Sequence, residues 1–394
     1  MAFFELDKEI ESGVDIRVFG VGGGGNNALN HMIASNIKGV EFVAVNTDRQ
    51  ALGRCNATKQ ICTGEQTTKG NGAGADPEKG TKAAEESVEE IRAAMEGADM
   101  VFVATGMGGG TGTGAAPVVA RIAKEMGILT VAIVTKPFKF EGPKRMAHAE
   151  RGIAQLEKYV DSLVVIPNER LKEISQEKVT LINAFGIVDN ILKHGVKSIS
   201  DTINFAGYIN LDFADVCAIM KDAGLAHMGI GEGKGENKAI DAAEAAMASP
   251  LLETSIDGAT GILINFTISP EVSLDETDAA STLISEKSSA NANIIWGISV
   301  DETLEDEVKV TIIATGFEKK KQFKKFDEES EITVQPIKRV PEIEIRPIKP
   351  SDGIEEVKIT RISDSSEFEV DSILDIVNTR VRKKPVNDDF NKQY

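Results

Sequence analysis

The sequence predicts an α/β protein: a Rossmann-like parallel-sheet domain, a long central helix, a second, smaller α/β domain and a disordered C-terminal tail. Three observations predict it. Strand-sized apolar runs alternate with segments of helical period through residues 15–166, one helical stripe follows over about 180–203, and composition changes sharply after Phe317.

Residues 15–21 form an apolar strand that runs into glycines, and 26–34 carry helical periodicity. A second strand occupies 40–45. Residues 77–95 read as one helix with Pro77 in its first turn, where a missing N–H breaks no hydrogen bond. Strands at 100–104, 128–134 and 162–166 then alternate with helices at 115–126 and 145–158. Such alternation gives a parallel sheet covered on both faces, with ligands at the C-terminal ends of the strands. Leu181, Phe185, Val188, Leu192, Val196, Ile199 and Ile203 step by three or four, which makes one helix on the order of 35 Å long. Beyond it, strands near 225–231, 261–268, 292–299 and 307–315 alternate with helices near 236–248 and 275–287. The expected division is a flexible segment over 1–12, a first domain over 13–178, a connecting helix over 179–205 and a second domain over 206–317.

Residues 318–394 hold one of the 36 glycines but five of the 12 prolines, with dense and mixed charge. Such a segment buries too little apolar surface to offset chain ordering, so 318–370 reads as a disordered linker. Ile373, Leu374, Ile376 and Val377, followed by Arg380, Arg382, Lys383 and Lys384, make 371–394 a small binding peptide on that tether.

The 44 Lys+Arg against 62 Asp+Glu leave a formal charge of −18, which disfavours nucleic acid and anionic membranes as partners. The longest apolar run is strand-sized, so no direct membrane insertion is expected. Cys55, Cys62 and Cys217 have no metal spacing, and a reduced cytoplasm suits them. The four histidines form no ligand pair, and no protein metal site is expected. The first dozen residues, with Glu5, Asp7, Glu9 and Glu11, carry no secretory signal.

Two glycine clusters carry the chemistry. Gly20-Val21-Gly22-Gly23-Gly24-Gly25-Asn26-Asn27 and Gly106-Met107-Gly108-Gly109-Gly110-Thr111-Gly112-Thr113-Gly114 each join a strand to a helix. Glycine there lets main-chain N–H groups approach a phosphate, and the positive end of the helix adds attraction. The first cluster alone also suits a plain tight turn, or a dinucleotide-binding oxidoreductase with Asp48 as its ribose-binding acid. The second is more telling, since packing rarely requires six glycines in nine residues. Neither contains a phosphate-binding lysine motif, so backbone dipoles plus a cation, Mg²⁺, must neutralise the phosphates. Asp212 and Asp215, three apart on the first turn of a helix beginning near Leu211, face the same way. They could orient a water, or merely cap the helix and favour its dipole.

GVGGGGNN, the NTD of Asn46 to Asp48, GAGADP from Gly72, GMGGGTGTG, FEGPKR from Phe140 and NLDFAD from Asn210 occur in this order. The set strongly resembles the FtsZ family, the bacterial tubulin-like division GTPases, over roughly residues 12–317. The resemblance implies a GTP-binding domain over 13–178 and a catalytic loop in the second domain. Gly22, Gly23, Gly24, Gly25, Asn26 and Asn27 would line the phosphates from one side, and Gly108, Gly109, Gly110, Thr111, Gly112 and Thr113 from the other. Asn46 would belong to the same site, and Ala73, Gly74 and Ala75, with Asp76, would close near the γ-phosphate. Glu141 and Arg145 would contact the ribose, while Asn168 and Asp189 would read the base against Phe185. A solvated helix residue remains the plain reading of Asp189, and a core residue that of Phe185. Asn210, Asp212 and Asp215 would complete the active site of the next subunit. The resemblance further implies bound GTP or GDP with Mg²⁺ held mainly through the phosphates, and a head-to-tail homopolymer. It implies a cytoplasmic ring at the midcell division site and contacts with division proteins and membrane tethers through the C-terminal peptide. That peptide, Leu374 to Lys384, lacks the proline and the aromatic usual in the family. A tubulin-like filament serving plasmid segregation or cell shape is the remaining alternative.

Overall fold

A computed structural model describes residues 13–174, 180, 183–204, 212–252, 256–301 and 303–317. The N-terminal segment 1–12, Leu181, Asn210, Leu211 and the expected linker and terminal peptide over 318–394 lie outside the described residues. In chain order the elements are β1 (Ile16–Val21), α1 (Gly22–Ala34), β2 (Val40–Asn46), α2 (Arg49–Leu52), β3 (Lys59–Cys62), α3 (Pro77–Glu86), α4 (Val88–Ala93), β4 (Met100–Gly106) and α5 (Thr111–Glu125). There follow β5 (Leu129–Lys136), α6 (Pro143–Leu156), β6 (Ser162–Pro167), α7 (Leu171–Ile174), α8 (Ala184–Asn204) and α9 (Phe213–Met220). The last are β7 (Gly224–Lys234), α10 (Lys238–Met247), β8 (Gly261–Ile268), α11 (Leu274–Lys287), β9 (Asn293–Val300) and β10 (Glu307–Thr315).

The ten strands form one mixed sheet in the order β3-β2-β1-β4-β5-β6-β7-β10-β8-β9. From β3 to β7 every pairing is parallel, as alternating strands and helices require. β10 runs antiparallel to both β7 and β8, and β8 and β9 are parallel. β1, β4 and β5 are buried on both faces, hence their near-continuous apolar sequence. One core lies between the sheet and α1 with α8; a second lies between the sheet and α4, α5 and α6. A third, under α10 and α11, belongs to β8, β9 and β10.

The helical stripe is what binds α8 to the sheet. Val188, Leu192, Val196, Ile199 and Ile203 are buried along it, worth on the order of 10 kcal/mol at about 2 kcal/mol per side chain. Thr180 and Asn183 exchange capping hydrogen bonds before the helix, which is described from Ala184. Gly195 is a contact residue: a Cβ there would stand 2.9 Å from Ile133 Cδ1.

Several boundaries differ from expectation. The helix expected over 77–95 is two helices, because Ser87 leaves the helical path at φ −115°, ψ 24°. The break turns Glu86 toward the amides of Gln66 and Thr67, which donate to its carboxylate at 3.0 and 3.1 Å. α1 starts at Gly22 rather than Asn26, so the glycines are its first turn. The helix expected near Leu211 begins at Phe213, with Asp212 as its N-cap. β3, α2 and α7, each four residues long, have too short a period to read from sequence.

A buried lysine ties together the region around α10 and α11. Lys238 Nζ lies 2.8 Å from Glu276 and 3.1 Å from Asp306, and its side chain is only 9% exposed. That contact, aided by the Ser273 amide, holds the Glu276 carboxyl down at about 2 from an ordinary 4.5. Its carboxylate therefore stabilises the fold above pH 4.5, and that contribution fades as pH falls toward 2. Lys238→Met is expected to cost about 1–2 kcal/mol at pH 7 in urea unfolding, the deficit narrowing below pH 4.5.

Candidate functional site

The site forms where strand order reverses. β1 and β4 are neighbours, Val21 opposite Thr105, while their next strands lie on opposite sides. β1 leads directly into α1 at Gly22, and β4 leads through residues 107–110 into α5 at Thr111. Neither N-cap, Val21 or Gly110, supplies a side-chain cap, so first-turn N–H groups of both helices lack partners within their helix. Two positive helix ends converge on one place, which suits an anion.

The glycines there are of two kinds. A Cβ on Gly22 would lie 2.7 Å from the nitrogen of Gly112, and one on Gly25 would lie 2.3 Å from the Ala104 carbonyl oxygen. On Gly112 it would meet Thr105 Oγ1 at 2.4 Å, on Gly110 the Ala73 Cβ at 2.8 Å, and on Gly114 the Pro77 carbonyl at 2.0 Å. Gly24 faces Gly106 at 3.2 Å, and Gly108 sits under the Arg145 carbonyl with φ +101°. Packing thus requires most of the second cluster, contrary to the expectation that it would not. Gly23 and Gly109 differ. A Cβ on either would meet nothing within 4 Å, and neither has a positive φ. No contact within the chain demands glycine at these two positions; a ligand lying against the backbone would.

Side chains brace this cradle. Thr47 and Thr111 hydroxyls are 2.6 Å apart, Thr105 donates to the Val21 carbonyl at 2.9 Å, and Thr113 Oγ1 accepts from the Gly108 amide at 2.8 Å. Buried Asn46 donates to Asn26 Oδ1 at 2.6 Å, and Asn26 donates to the Gly20 carbonyl at 3.2 Å. Both asparagines hold the loop, while Asn27 is exposed. Ala73 is buried, but Gly74 and Ala75 are exposed at φ +62° and +60°. For Ala75 that conformation costs about 1–2 kcal/mol. Asp76 caps α3 by accepting from the Glu78 amide at 3.0 Å.

A third wall comes from the connections after β5 and β6 and from the start of α8. Glu141 accepts from the Phe138 amide at 2.9 Å and pairs with Arg145. Phe138 stacks on Phe140 at 5.3 Å and meets Phe185 edge-on at 5.7 Å. Phe185 is 46% exposed, so it is not a core residue. Asn168 is buried, and its Oδ1 has no hydrogen-bond partner. Such an orphan acceptor costs about 1–3 kcal/mol unless a ligand donates to it. Asp189, one turn beyond Phe185, is 7% exposed, not solvated, and burial raises its carboxyl to about 7. His31 of α1 stands beside it, Nε2 to Oδ2 3.5 Å. Sequence reasoning missed Thr47, Phe138, Phe140 and His31 as site residues. The alternation of two phenylalanines just before Glu141 was a usable signal; nothing local marks His31.

The acidic pair is elsewhere. Asp212 is exposed and accepts from the Asp215 amide at 2.8 Å, so the capping role holds for its Oδ1. α9 leads into β7, whose Gly224 pairs with Ser162 at the start of β6, whereas Asn168 follows the end of β6. α8 spans the same distance: Asp189 lies near its site end, and Asn204 near its other end donates to Gly39 ahead of β2. Those 15 residues rise about 22 Å. The acids and the cradle therefore occupy opposite ends of the sheet.

The tubulin/FtsZ family GTPase domain matches residues 15–176, and the FtsZ family C-terminal domain matches 224–318. An empty FtsZ dimer from M. jannaschii is 47% identical, with 77% of this chain and 88% of that chain covered and a TM-score of 0.75. The chain belongs to the FtsZ family. A point mutant of M. jannaschii FtsZ gives 46% identity over 78% of this chain and 92% of that chain, again with a TM-score of 0.75. CetZ1 from Haloferax volcanii, a GDP-bound monomer, has 20% identity, coverage of 78% and 95%, and a TM-score of 0.68. It shares the fold. The glycine cradle thus lies in the GTPase domain of an FtsZ-family protein, and the acidic pair lies just ahead of the residues matched by the C-terminal domain.

The two kinds of glycine are separable by stability. Gly114→Ala is expected to lose about 1–3 kcal/mol in chemical unfolding through overpacking, whereas Gly23→Ala and Gly109→Ala should stay within about 1 kcal/mol of the parent.

Proposed function

We propose that this protein binds GTP in the cradle, stacks head to tail, and hydrolyses GTP to GDP and phosphate at each contact between copies. The resulting filament is the scaffold of a ring at the division site, in the cytoplasm at midcell. The observation that carries this reading is the separation of cradle and acids by the length of the sheet. One copy cannot bring both to one phosphate; two copies stacked end to end can. Such a contact is heterologous and generates an open filament.

In the cradle, N–H groups of Gly23, Gly24, Gly109, Gly110 and Thr111 would hold the phosphates, and the turn at Ala73–Asp76 would close on the γ-phosphate. Mg²⁺ supplies charge neutralisation when bound. The described residues contain no cluster of three His, Cys, Asp or Glu, so phosphate oxygens would be its main ligands. Phe185 gives a face for the base, Glu141 and Arg145 lie toward the ribose, and Asp189 accepts from the ring N–H and amino group that guanine presents side by side. Adenine offers an acceptor at that ring position and leaves the buried carboxylate unpaired, a loss of roughly 1–3 kcal/mol. Asp212 and Asp215 of the neighbouring copy, with Asn210, would orient a water in line with the γ-phosphorus. Positioning and electrostatics then do most of the catalysis. Division proteins and membrane tethers would engage the peptide at 371–394, and residues 13–178, 179–205 and 206–317 would act as GTP-binding domain, connector and catalytic-loop domain.

Asp212→Ala should leave GTP affinity of the unassembled protein within about twofold while turnover falls on the order of 10²-fold or more. Mixed with a Thr111-defective chain that keeps Asp212, it should regain part of the activity. If Asp212→Ala weakened monomer binding as much as Gly110→Arg does, the shared site would be wrong. Light scattering with GTP, GDP or ATP checks the nucleotide dependence of assembly.

A further inference from the structure

The sheet ends on two very different strands. β3, at one edge, has four residues and carries Lys59, and shortness and a lysine both discourage a stray strand from pairing there. β9, at the other edge, has eight residues, no proline and no charged side chain. Its register with β8 is unbroken from Asn293 to Val300, so no bulge twists it away. The whole chain carries a net charge of −18, yet this strand carries none. The amides of Asn293 and Asp301 donate to the Thr260 and Ile268 carbonyls at 2.8 and 3.0 Å, so the odd-numbered residues turn their backbone groups toward β8. Backbone direction alternates along a strand, which turns the N–H and C=O of Ile294, Trp296, Ile298 and Val300 outward. Among the described residues, nothing bonds to these outward groups.

We propose that the outer edge of β9 pairs antiparallel with β9 of a second copy, about a two-fold axis normal to the sheet. An antiparallel pair that exchanges hydrogen bonds sets outward-facing residues opposite one another. The register that uses all four places Ile294 against Val300 of the second copy and Trp296 against its Ile298, each contact occurring twice. The side chains fit this register. Ile294, Trp296 and Ile298 lie on the face that carries α10 and α11, and the axis keeps that face on one side in both copies. Val300, 39% exposed, is thereby covered. Aromatic and β-branched cross-strand pairs of this kind are favourable. At each end Asn293 meets Asp301, an amide against a carboxylate, so no like charges oppose. This match of the strand with itself is what selects a second copy as the occupant. One strand edge buries less than a stable interface of standard size, so single copies pair weakly and rows of copies pair well. α8 lies along this part of the sheet, its Ser198 carbonyl accepting from Asn265 of β8 at 3.2 Å. An axis normal to the sheet reverses α8, and with it the direction from cradle to acids. On the head-to-tail reading proposed above, β9 pairing joins filaments that run in opposite directions.

The pairing itself does not need that reading, and the test separates the two. Self-association of the full-length protein with GDP is measured by sedimentation equilibrium, and filaments formed with GTP are viewed by electron microscopy. Asn293 is exposed and lies opposite Asp301 twice in each pair. Asn293→Lys should therefore tighten self-association about fivefold, and Asn293→Asp should weaken it about fivefold. Thr58→Lys and Thr58→Asp, the same charge changes at an exposed residue ahead of β3, should move it less than about twofold. An equal response to both positions, or none to Asn293, would overturn the proposal. With GTP, the parent and Asn293→Lys should give paired filaments of opposite polarity. Asn293→Asp should give single filaments that hydrolyse GTP at the parental rate. Paired filaments of one polarity would rule out the two-fold axis. Dimers that respond to Asn293 in a protein that makes no filament with GTP would support the pairing and sink the head-to-tail reading. Circular dichroism melts confirm that the variants are folded.

Discussion

The close approach of two backbones, Gly22 of α1 against Gly112 of α5, is the constraint on which the rest of this structure depends. A Cβ at either position would collide with the other loop or with Thr105. The approach is possible because β1 and β4 are adjacent and their helices leave toward opposite faces of the sheet, α1 into the core shared with α8 and α5 into the core on the other face. Glycine is needed there for packing, and packing places two sets of unpaired N–H groups side by side. The anion-binding property follows from the way the sheet is covered.

The second constraint is length. α8 crosses the sheet from the wall that holds Phe185 and Asp189 to the opposite end, fixed by burial of its apolar stripe. The same helix therefore sets the distance between Asp189 and the region around Asn204, and it prevents Asp212 from approaching the cradle of its own chain. A rigid spacer of this kind holds the acids and the cradle apart within one chain.

Electrostatics around Asp189 run against stability. Burial raises the carboxyl of Asp189 to about 7, so ionising it in the folded protein costs free energy that an exposed aspartate would not. The penalty builds as pH rises through the interval between 3.8 and 7, where the unfolded chain has already lost the proton and the folded one has not. The orphan Oδ1 of Asn168 adds to it.

Much of this was legible in one dimension. Hydrophobic period located the strands of the parallel half and the stripe of α8, because each element repeats its own burial geometry along the chain. Glycine clusters at strand–helix junctions marked the cradle, and the ordered motifs marked the family. Four-residue elements such as β3 and α2 stayed invisible, since they are shorter than any period, and the break at Ser87 interrupts an otherwise continuous helical pattern. The sequence by itself determined most of the longer strands and helices and the place of the two glycine clusters at strand–helix junctions. Only the tertiary structure decided which glycines serve packing and which face open space, that Phe185 is exposed while Asp189 is buried, that His31 stands beside Asp189, and that the acids lie at the far end of the sheet. The physical reason is that these depend on contacts between residues from about forty to more than a hundred and fifty positions apart, or on the path of the whole sheet, and local pattern carries no record of either.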